Sequence, residues 1–465
     1  MFYFEKEAAS PLYQQLYEQL RQQIMEGILP RGRNLPPTRD LAAEYHISRN
    51  TVIQAYQQLA VEGYVRSVAG SGYYVEDLSL FQGFYHSEQP ERTAHTPSKK
   101  SDSLFDFYYG NLDYNCYQSK AWRHCLLDAY DRMADQNTLS YCDPQGLPEL
   151  RRELANYLHF SRGVRCCADQ IILTSGHQYS LSLVARLFSG GNWKFAMEEP
   201  GYDGTRTVMQ QNRFSPIPVP LEKDGVSIAE TERLSHTLLY ITPSHQFPMG
   251  IVMPVKRRQE LLAWAMKEPD RYLIEDDYDS EFRYRGKPIP ALQGMDDSGR
   301  VIYMGTFSKA IAPAIRVGYL VLPPSLMERY EERGWFYSST VSRVDQRILA
   351  MFIGGGYFER HLNRMREIYK GKHDLLLASL KPLEKEFEIS GEYAGLHVLL
   401  TCRGERTEEQ LEKAAETEGI RVYGLSGSYI GKKDTESRTV ILGYASLTEE
   451  KIQEGAAALA KALCP

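Results

Sequence analysis

Residues 271–320 read RYLIEDDYDSEFRYRGKPIPALQGMDDSGRVIYMGTFSKAIAPAIRVGYL. Two short apolar runs in this stretch, Arg271–Ile274 and Val301–Met304, have the length and bounding of buried strands. Each gives way to chemistry: Glu275-Asp276-Asp277-Tyr278-Asp279-Ser280-Glu281 after the first, and Thr306, Ser308 and Lys309 after the second. From Phe105 onward, similar runs at Gln170–Leu173, Lys194–Met197 and Leu238–Ile241 alternate with longer helical patterns. That alternation predicts an α/β domain with a mainly parallel sheet, whose polar sites lie at the strand ends.

The chain around this stretch has 465 residues, enough for two or three domains. Its charges sum to 54 − 60 = −6, so no global cationic field draws it to nucleic acid or lipid, and any DNA binding must be local. With 43% hydrophobic and 25% charged residues the composition is that of a globular protein, which argues against wholesale disorder and against a membrane protein. The opening MFYFEKEAAS has no basic segment followed by an apolar run, so a cytoplasmic location is expected. Seven cysteines (116, 125, 142, 166, 167, 402 and 464) include no Cys-x-x-Cys pair. Free thiols are expected, with neither a disulfide framework nor a structural metal.

Ahead of the α/β region, Leu12, Leu16, Leu20 and Ile24 recur at helical spacing and stop at Gly27. Thr38 is expected to cap a second helix running to about Tyr45, and Ser48 a third, in which Val52, Ala55, Tyr56 and Leu59 form a buried stripe. Arg49, Asn50, Thr51 and Gln54 stay outside. Val65–Val68, a glycine-containing turn and Tyr73–Val75 then predict a hairpin wing. Two helices joined at His46-Ile47, with polar side chains opening the second, form the arrangement that places a helix N-terminus in the major groove. The same pattern also fits a small helical protein-binding domain. Residues 77–104 collect Ser, Thr, Pro and charges and are read as a linker, with Leu78, Leu80, Phe81, Phe84 and Tyr85 offering a docked short helix as the alternative.

Lys309 sits among small and apolar residues just past a strand end, where a lysine loses its proton and can condense with an aldehyde. Arg316 supplies a planar fork for a phosphate, and Thr306 and Ser308 offer hydroxyls to the same group. The acidic run from Glu275 fits a metal site or a solvated loop, but a pyridine ring accounts better for a carboxylate beside a phenol. Asp276 and Tyr278 are assigned to it because i and i+2 of an extended chain share one side, with Asp277 as the alternative. Thr174-Ser175-Gly176-His177-Gln178 joins a strand to an apolar helix and has the form of a phosphate cup. Tyr202, in Glu199-Pro200-Gly201-Tyr202, is suited to stack on a ring, while Thr242-Pro243-Ser244-His245-Gln246-Phe247-Pro248-Met249-Gly250 also fits an ordinary turn.

PLYQQLYEQLRQQIMEGILPRGRNLPPTRDLAAEYHISRNTVIQAYQQLAVEGYV resembles the GntR-type winged-helix domain over nearly its full length. That resemblance implies DNA contacts by Arg39, Ser48, Arg49, Thr51 and Gly72, with Ser71 standing where the family commonly has a basic wing residue. YCDPQGLPELRRELANYL, TSGHQYSL, EEPGYDG, TPSHQFPMG, IEDDYDSEFRY and GTFSKAIAPAIRVGY are similar to segments of fold type I aminotransferases. Together the two halves resemble the MocR/GabR-type regulators. The implied architecture is a winged helix-turn-helix domain over 1–76, the linker, and an aminotransferase-like effector domain over 105–465 with a smaller α+β subdomain over roughly 340–465. The resemblance implies pyridoxal 5'-phosphate as cofactor, joined to Lys309 as a Schiff base. It implies Asp276 on the ring nitrogen, Tyr278 on the ring oxygen and Tyr202 stacked. Ser175, Gly176, His177, Thr306, Ser308 and Arg316 hold phosphate. It further implies a homodimer, a double-stranded DNA operator, and an effector that is an amine, an amino acid or pyridoxal phosphate itself.

Aminotransferases commonly clamp the substrate carboxylate with an arginine near the C-terminus, and in Leu442-Gly443-Tyr444-Ala445-Ser446-Leu447 Ser446 is read as standing in its place. Arg206 is a candidate substitute. The expected function is therefore a pyridoxal phosphate-dependent transcription regulator, not an enzyme, retaining at most a slow half reaction. The alternatives are a working aminotransferase with an appended DNA-binding domain and a winged helix with a vestigial cofactor site.

Overall fold

The stripes seen in the sequence become the cores. In the computed structural model α1 (Leu12–Met25), α2 (Thr38–Glu44) and α3 (Arg49–Val61) bury Leu16, Leu20, Ile24, Leu41, Val52, Ala55, Tyr56 and Leu59 against one another. An antiparallel pair follows, β1 (Val65–Val68) with β2 (Gly72–Val75). The structure describes residues 2–4, 10–77, 104–113, 119–132, 140–284, 289–333, 337–430 and 437–464, and it divides into two units, Met1–Ser101 and Asp102–Pro465. All but the ends of the expected linker, with its alternative helix, lies outside the described residues.

Two details of the first unit differ from expectation. Thr38 is the first residue of α2, and Pro37 holds the cap position without a side-chain bond. The wing strand β2 begins one residue early, at Gly72, whose φ of +110° belongs to the left-handed region that favours glycine. Ser48 does cap α3: its Oγ accepts the Thr51 N–H at 3.1 Å.

The second unit opens with β3 (Phe105–Asp106) and is built on an eight-stranded sheet. Its strands are β4 (Ile171–Thr174), β5 (Lys194–Glu199), β6 (Pro216–Glu222), β7 (Gly225–Val226), β8 (Thr237–Ile241), β9 (Arg271–Asp277), β10 (Val301–Thr306) and β11 (Gly318–Val321), in the order β4-β11-β10-β9-β8-β5-β6-β7. The run from β10 through β9, β8 and β5 to β6 is parallel, while β11 and β7 are antiparallel to their neighbours. Alternate residues enter different cores: Ile274, Ile302 and Met304 pack with the helix His177–Leu187, whereas Leu273 and Val301 pack with the helix Val255–Met266. Farther along the chain β12 (Phe387–Ser390), β13 (His397–Cys402), β15 (Tyr423–Gly424) and β16 (Thr439–Gly443) make an antiparallel sheet in the order β12-β13-β16-β15, and β14 (Ile420–Arg421) pairs with β3.

One boundary matters for the site. β9 runs three residues past the apolar segment, so Glu275, Asp276 and Asp277 are strand residues and not a loop. All three are at most 5% exposed. The six described cysteines carry free thiols.

The Ser48 cap gives a first test. Ser48→Ala should cost the winged-helix unit about 0.5–2 kcal/mol and Ser48→Gly only a few tenths, read from urea unfolding. Equal stability of wild type and the alanine variant would contradict the capping role.

Candidate functional site

In the first unit Arg39, Ser48, Arg49 and Gly72 are exposed and Thr51 is partly so. The Arg49 Nε donates to Thr38 Oγ1 at 3.4 Å, and the Ser48 and Thr51 hydroxyls lie 2.9 Å apart, which ties the start of α3 to that of α2. Asn34 holds the wing from the other side: it bridges Tyr74, donates to Ser71 O at 3.3 Å, and would lie 3.0 Å from a Cβ placed on Gly72. The sequence reading missed Asn34.

In the second unit a cavity of about 1060 Å³ opens at the carboxyl ends of β4, β8, β9 and β10. Ser175, His177, Tyr202, Asp276, Tyr278, Thr306, Ser308, Lys309 and Arg316 all line it. Gly176 stands behind them as the N-cap of His177–Leu187, with φ +93° and no side-chain cap, so the helix N-terminus is left open to an anion. A Cβ at Gly176 would come within 2.8 Å of Arg316 Nη2, so glycine lets the guanidinium approach.

The strand period separates the two aspartates. Asp277 faces away from the cavity and accepts from Arg162 Nε at 2.8 Å and from the Tyr303 hydroxyl at 2.6 Å. Burial would raise the Asp277 carboxyl, but the Arg162 charge and these bonds outweigh it and hold the group below its ordinary 3.8. Asp276 faces the cavity. Its Oδ2 takes the Tyr240 hydroxyl at 2.5 Å and His177 Nε2 at 3.0 Å, while Oδ1 is buried without a partner. A pyridinium N–H would satisfy that oxygen.

His177 turns its Nε2 to Asp276, while its Nδ1 is buried without a partner and its backbone N–H stands at the helix start. The Lys309 Nζ donates to Tyr109 O at 2.7 Å and Gly110 O at 3.2 Å. Burial lowers the ammonium from 10.5 to about 8, against a smaller opposite effect of Asp279. The residues thus fit pyridoxal phosphate, with an aldehyde-reactive amine, a free carboxylate oxygen, a phenol and an uncapped helix beside Arg316. Bound, that cofactor supplies an aldehyde and an electron-sink ring.

Ser446 is not among the cavity residues. Just before that stretch, Ile441 packs in one apolar cluster with Phe247, Tyr109 and Tyr202. Arg206 is no substitute clamp, because its two terminal nitrogens donate to the carbonyls of Tyr429 and Gly427. Among the described lining residues Arg316 is the one guanidinium. The sequence reading also missed Tyr240, His397 and the Tyr109-Gly110 carbonyls, none of which forms a local motif.

Residues 12–75 match the family described as "Bacterial regulatory proteins, gntR family", and residues 105–459 match "Aminotransferase class I and II". The chain is 38% identical over 466 residues to the HTH-type transcriptional regulator YhdI of Bacillus subtilis (strain 168), covering 100% of this chain and 98% of that one. It is 34% identical over 470 residues to the probable rhizopine catabolism regulatory protein MocR of Rhizobium meliloti, covering 98% and 94%. The chain belongs to the MocR-type HTH transcriptional regulators. The second unit of this MocR-type chain is similar in fold to a Pyrococcus horikoshii kynurenine aminotransferase, with a TM-score of 0.68, 25% identity, and coverage of 78% of this chain and 91% of the other.

The aspartate pair gives the second test. Asp277→Asn leaves Arg162 without its buried partner and should cost about 3–5 kcal/mol in thermal unfolding, whereas Asp276→Asn should cost no more than about 1.5 kcal/mol. Equal losses would contradict the assignment of the two residues to opposite faces.

Proposed function

We propose that this MocR-type regulator binds pyridoxal 5'-phosphate through Lys309 and uses the loaded cavity to read an amine, an amino acid or the cofactor itself. The observation that carries the reading is the free, buried Asp276 Oδ1 on the same cavity wall as Lys309, opposite the open helix N-terminus and Arg316. Asp276 holds the ring nitrogen, Tyr278 the ring oxygen, and Tyr202 lies against the ring. Ser175, Gly176, Thr306, Ser308 and Arg316 take the phosphate, together with the His177 N–H. The DNA face is Arg39, Ser48, Arg49, Thr51 and Gly72. The active form is a homodimer that presents two such faces to an operator.

The second reading, a working aminotransferase, loses ground at the carboxylate. A bidentate arginine contact contributes about 1.5–3 kcal/mol, and with Arg316 engaged by phosphate none is left among the described lining residues. Regulation without sustained turnover is the consequence.

Adding pyridoxal phosphate to the purified protein should produce a visible absorption band, and borohydride reduction should fix the cofactor on Lys309. Lys309→Ala should abolish the fixed adduct. Because the amine titrates near 8, below its ordinary 10.5, the rate of adduct formation should rise about tenfold per pH unit up to about pH 8 and level off above it. A rate still climbing at about pH 10 would show an ordinary surface lysine. A protein that stays colourless would overturn the cofactor reading.

A further inference from the structure

Three side chains meet on one ring nitrogen at the inner wall of the cavity. His245 Nδ1 lies 2.9 Å from Asp279 Oδ2 and 3.0 Å from the Tyr278 hydroxyl. His245 and Asp279 are 1% and 3% exposed, and His245 Nε2 and Asp279 Oδ1 are buried without partners. The arrangement depends on Gly395, which has φ +79°: a Cβ there would stand 2.0 Å from His245 Cε1 and 2.9 Å from Asp279 Oδ2.

Proton accounting decides what these contacts are. With the imidazole proton on Nε2, a buried N–H has no acceptor and the Nδ1 lone pair faces a carboxylate oxygen at hydrogen-bond distance. With the proton on Nδ1, the N–H donates to Asp279 and the sole unmet group on the ring is an acceptor. The second tautomer is the stable one. It has a consequence for Tyr278, because a protonated Nδ1 cannot accept from the phenol.

Burial, then Asp279 and Asp276, push the Tyr278 hydroxyl well above its ordinary range, so it keeps its hydrogen. That hydrogen must find its acceptor elsewhere, and Tyr278 lines the cavity. The neighbouring charges leave this state undisturbed. The His397 ring, 5.4 Å from that of His245, donates Nε2–H to Pro248 O at 2.9 Å and is pushed by burial down to about 3, so it is neutral. Lys309, Asp276, His177 and Tyr240 are the other ionisable groups lining the cavity nearby; Tyr240 and the buried Glu198 also act on the Tyr278 hydroxyl, both pushing it up as the aspartates do.

We propose that His245 and Asp279 form a positioning pair: a proton held on His245 Nδ1 denies Tyr278 an acceptor inside the wall and turns its O–H into the cavity, toward the ring oxygen of the cofactor. The pair rests on the cofactor reading for its target but not for its own geometry. A hydrogen bond donated to that oxygen stabilises its negative form, so the oxygen holds the neighbouring imine proton less tightly. Losing the bond raises the pH at which the visible band titrates.

The test is the pH titration of that band in the full-length, cofactor-loaded protein. Tyr278→Phe should raise the midpoint by about one pH unit, a tenfold change in proton affinity, and His245→Leu should raise it in the same direction. The double variant should move no further than Tyr278→Phe alone, because the histidine acts through the phenol. His245→Asn, which restores an N–H near the Nδ1 position, should return the midpoint toward wild type. A wild-type midpoint in loaded His245→Leu, or shifts that add in the double variant, would overturn the proposal. If His245→Leu does not fold, His245→Ala is read in the same way. In cofactor-free protein labelled with 15N-histidine, the His245 resonances, assigned by their loss in His245→Asn, should report the Nδ1–H tautomer; Nε2–H would overturn the pair. Failure of wild type to develop any band would sink the cofactor reading instead, and the tautomer measurement would then decide the proposal alone.

Discussion

The buried bond between Arg162 and Asp277 sets the orientation of everything in the cavity. β9 brings carboxylates to both faces of a sheet that has apolar packing on both sides, and unpaired charges there would be expensive. Arg162 neutralises one face at 2.8 Å, with Tyr303 completing the shell. By the two-residue period of the strand, Asp276 and Tyr278 then have to face the other way. Had Asp277 taken the cavity side, the site would present a different carboxylate without the phenol two residues on. The remaining parts stand around that choice: Tyr240 and His177 hold one oxygen of Asp276, and Lys309 follows β10, the parallel neighbour of β9.

A family that couples a DNA-reading unit to an aminotransferase-like unit needs a ligand with differential affinity for two states of the protein, since a ligand that binds both equally shifts nothing. The cavity supplies features that such a ligand would engage. Lys309 is held near neutrality by burial, and its hydrogen bonds run to the backbone of Tyr109 and Gly110, residues just past the start of the second unit. A change at the lysine therefore releases two carbonyls in the segment that follows β3. Phe247, Tyr109 and Tyr202, which line the cavity, give it an apolar, aromatic character that suits an amine better than a second carboxylate.

Much of this was legible in the sequence, for physical reasons. The stripe Val52, Ala55, Tyr56, Leu59 and the alternation of apolar runs with helical patterns each reflect a single period. The proposed phosphate and ring residues sit in local motifs at strand ends, and nine of the ten line one cavity, with Gly176 behind them at the helix start. What was not legible depends on distance along the chain. Choosing Asp276 over Asp277 needs Arg162, 115 residues earlier, and the His245 and Asp279 pair spans 34 residues. β9 was read three residues short because acidic residues are poor strand formers, which packing and pairing override here. A threonine before a helical run reads as a cap, but Pro37 holds that position here and Thr38 opens the helix. The Tyr109 and Gly110 carbonyls leave no mark in any side chain, and Ser446, read by its position in the stretch, is not among the residues that line the cavity.

The central claim is that the cofactor cavity and the DNA face are coupled. The direct measurement is the operator dissociation constant at fixed salt for the cofactor-free and the pyridoxal phosphate-loaded protein, and for Lys309→Ala under both conditions. The account predicts at least about a fivefold difference between the two wild-type states, within the usual range of coupling energies, and no difference in Lys309→Ala. Equal operator affinity in the two wild-type states, with the cofactor demonstrably bound and candidate amines present, would contradict it.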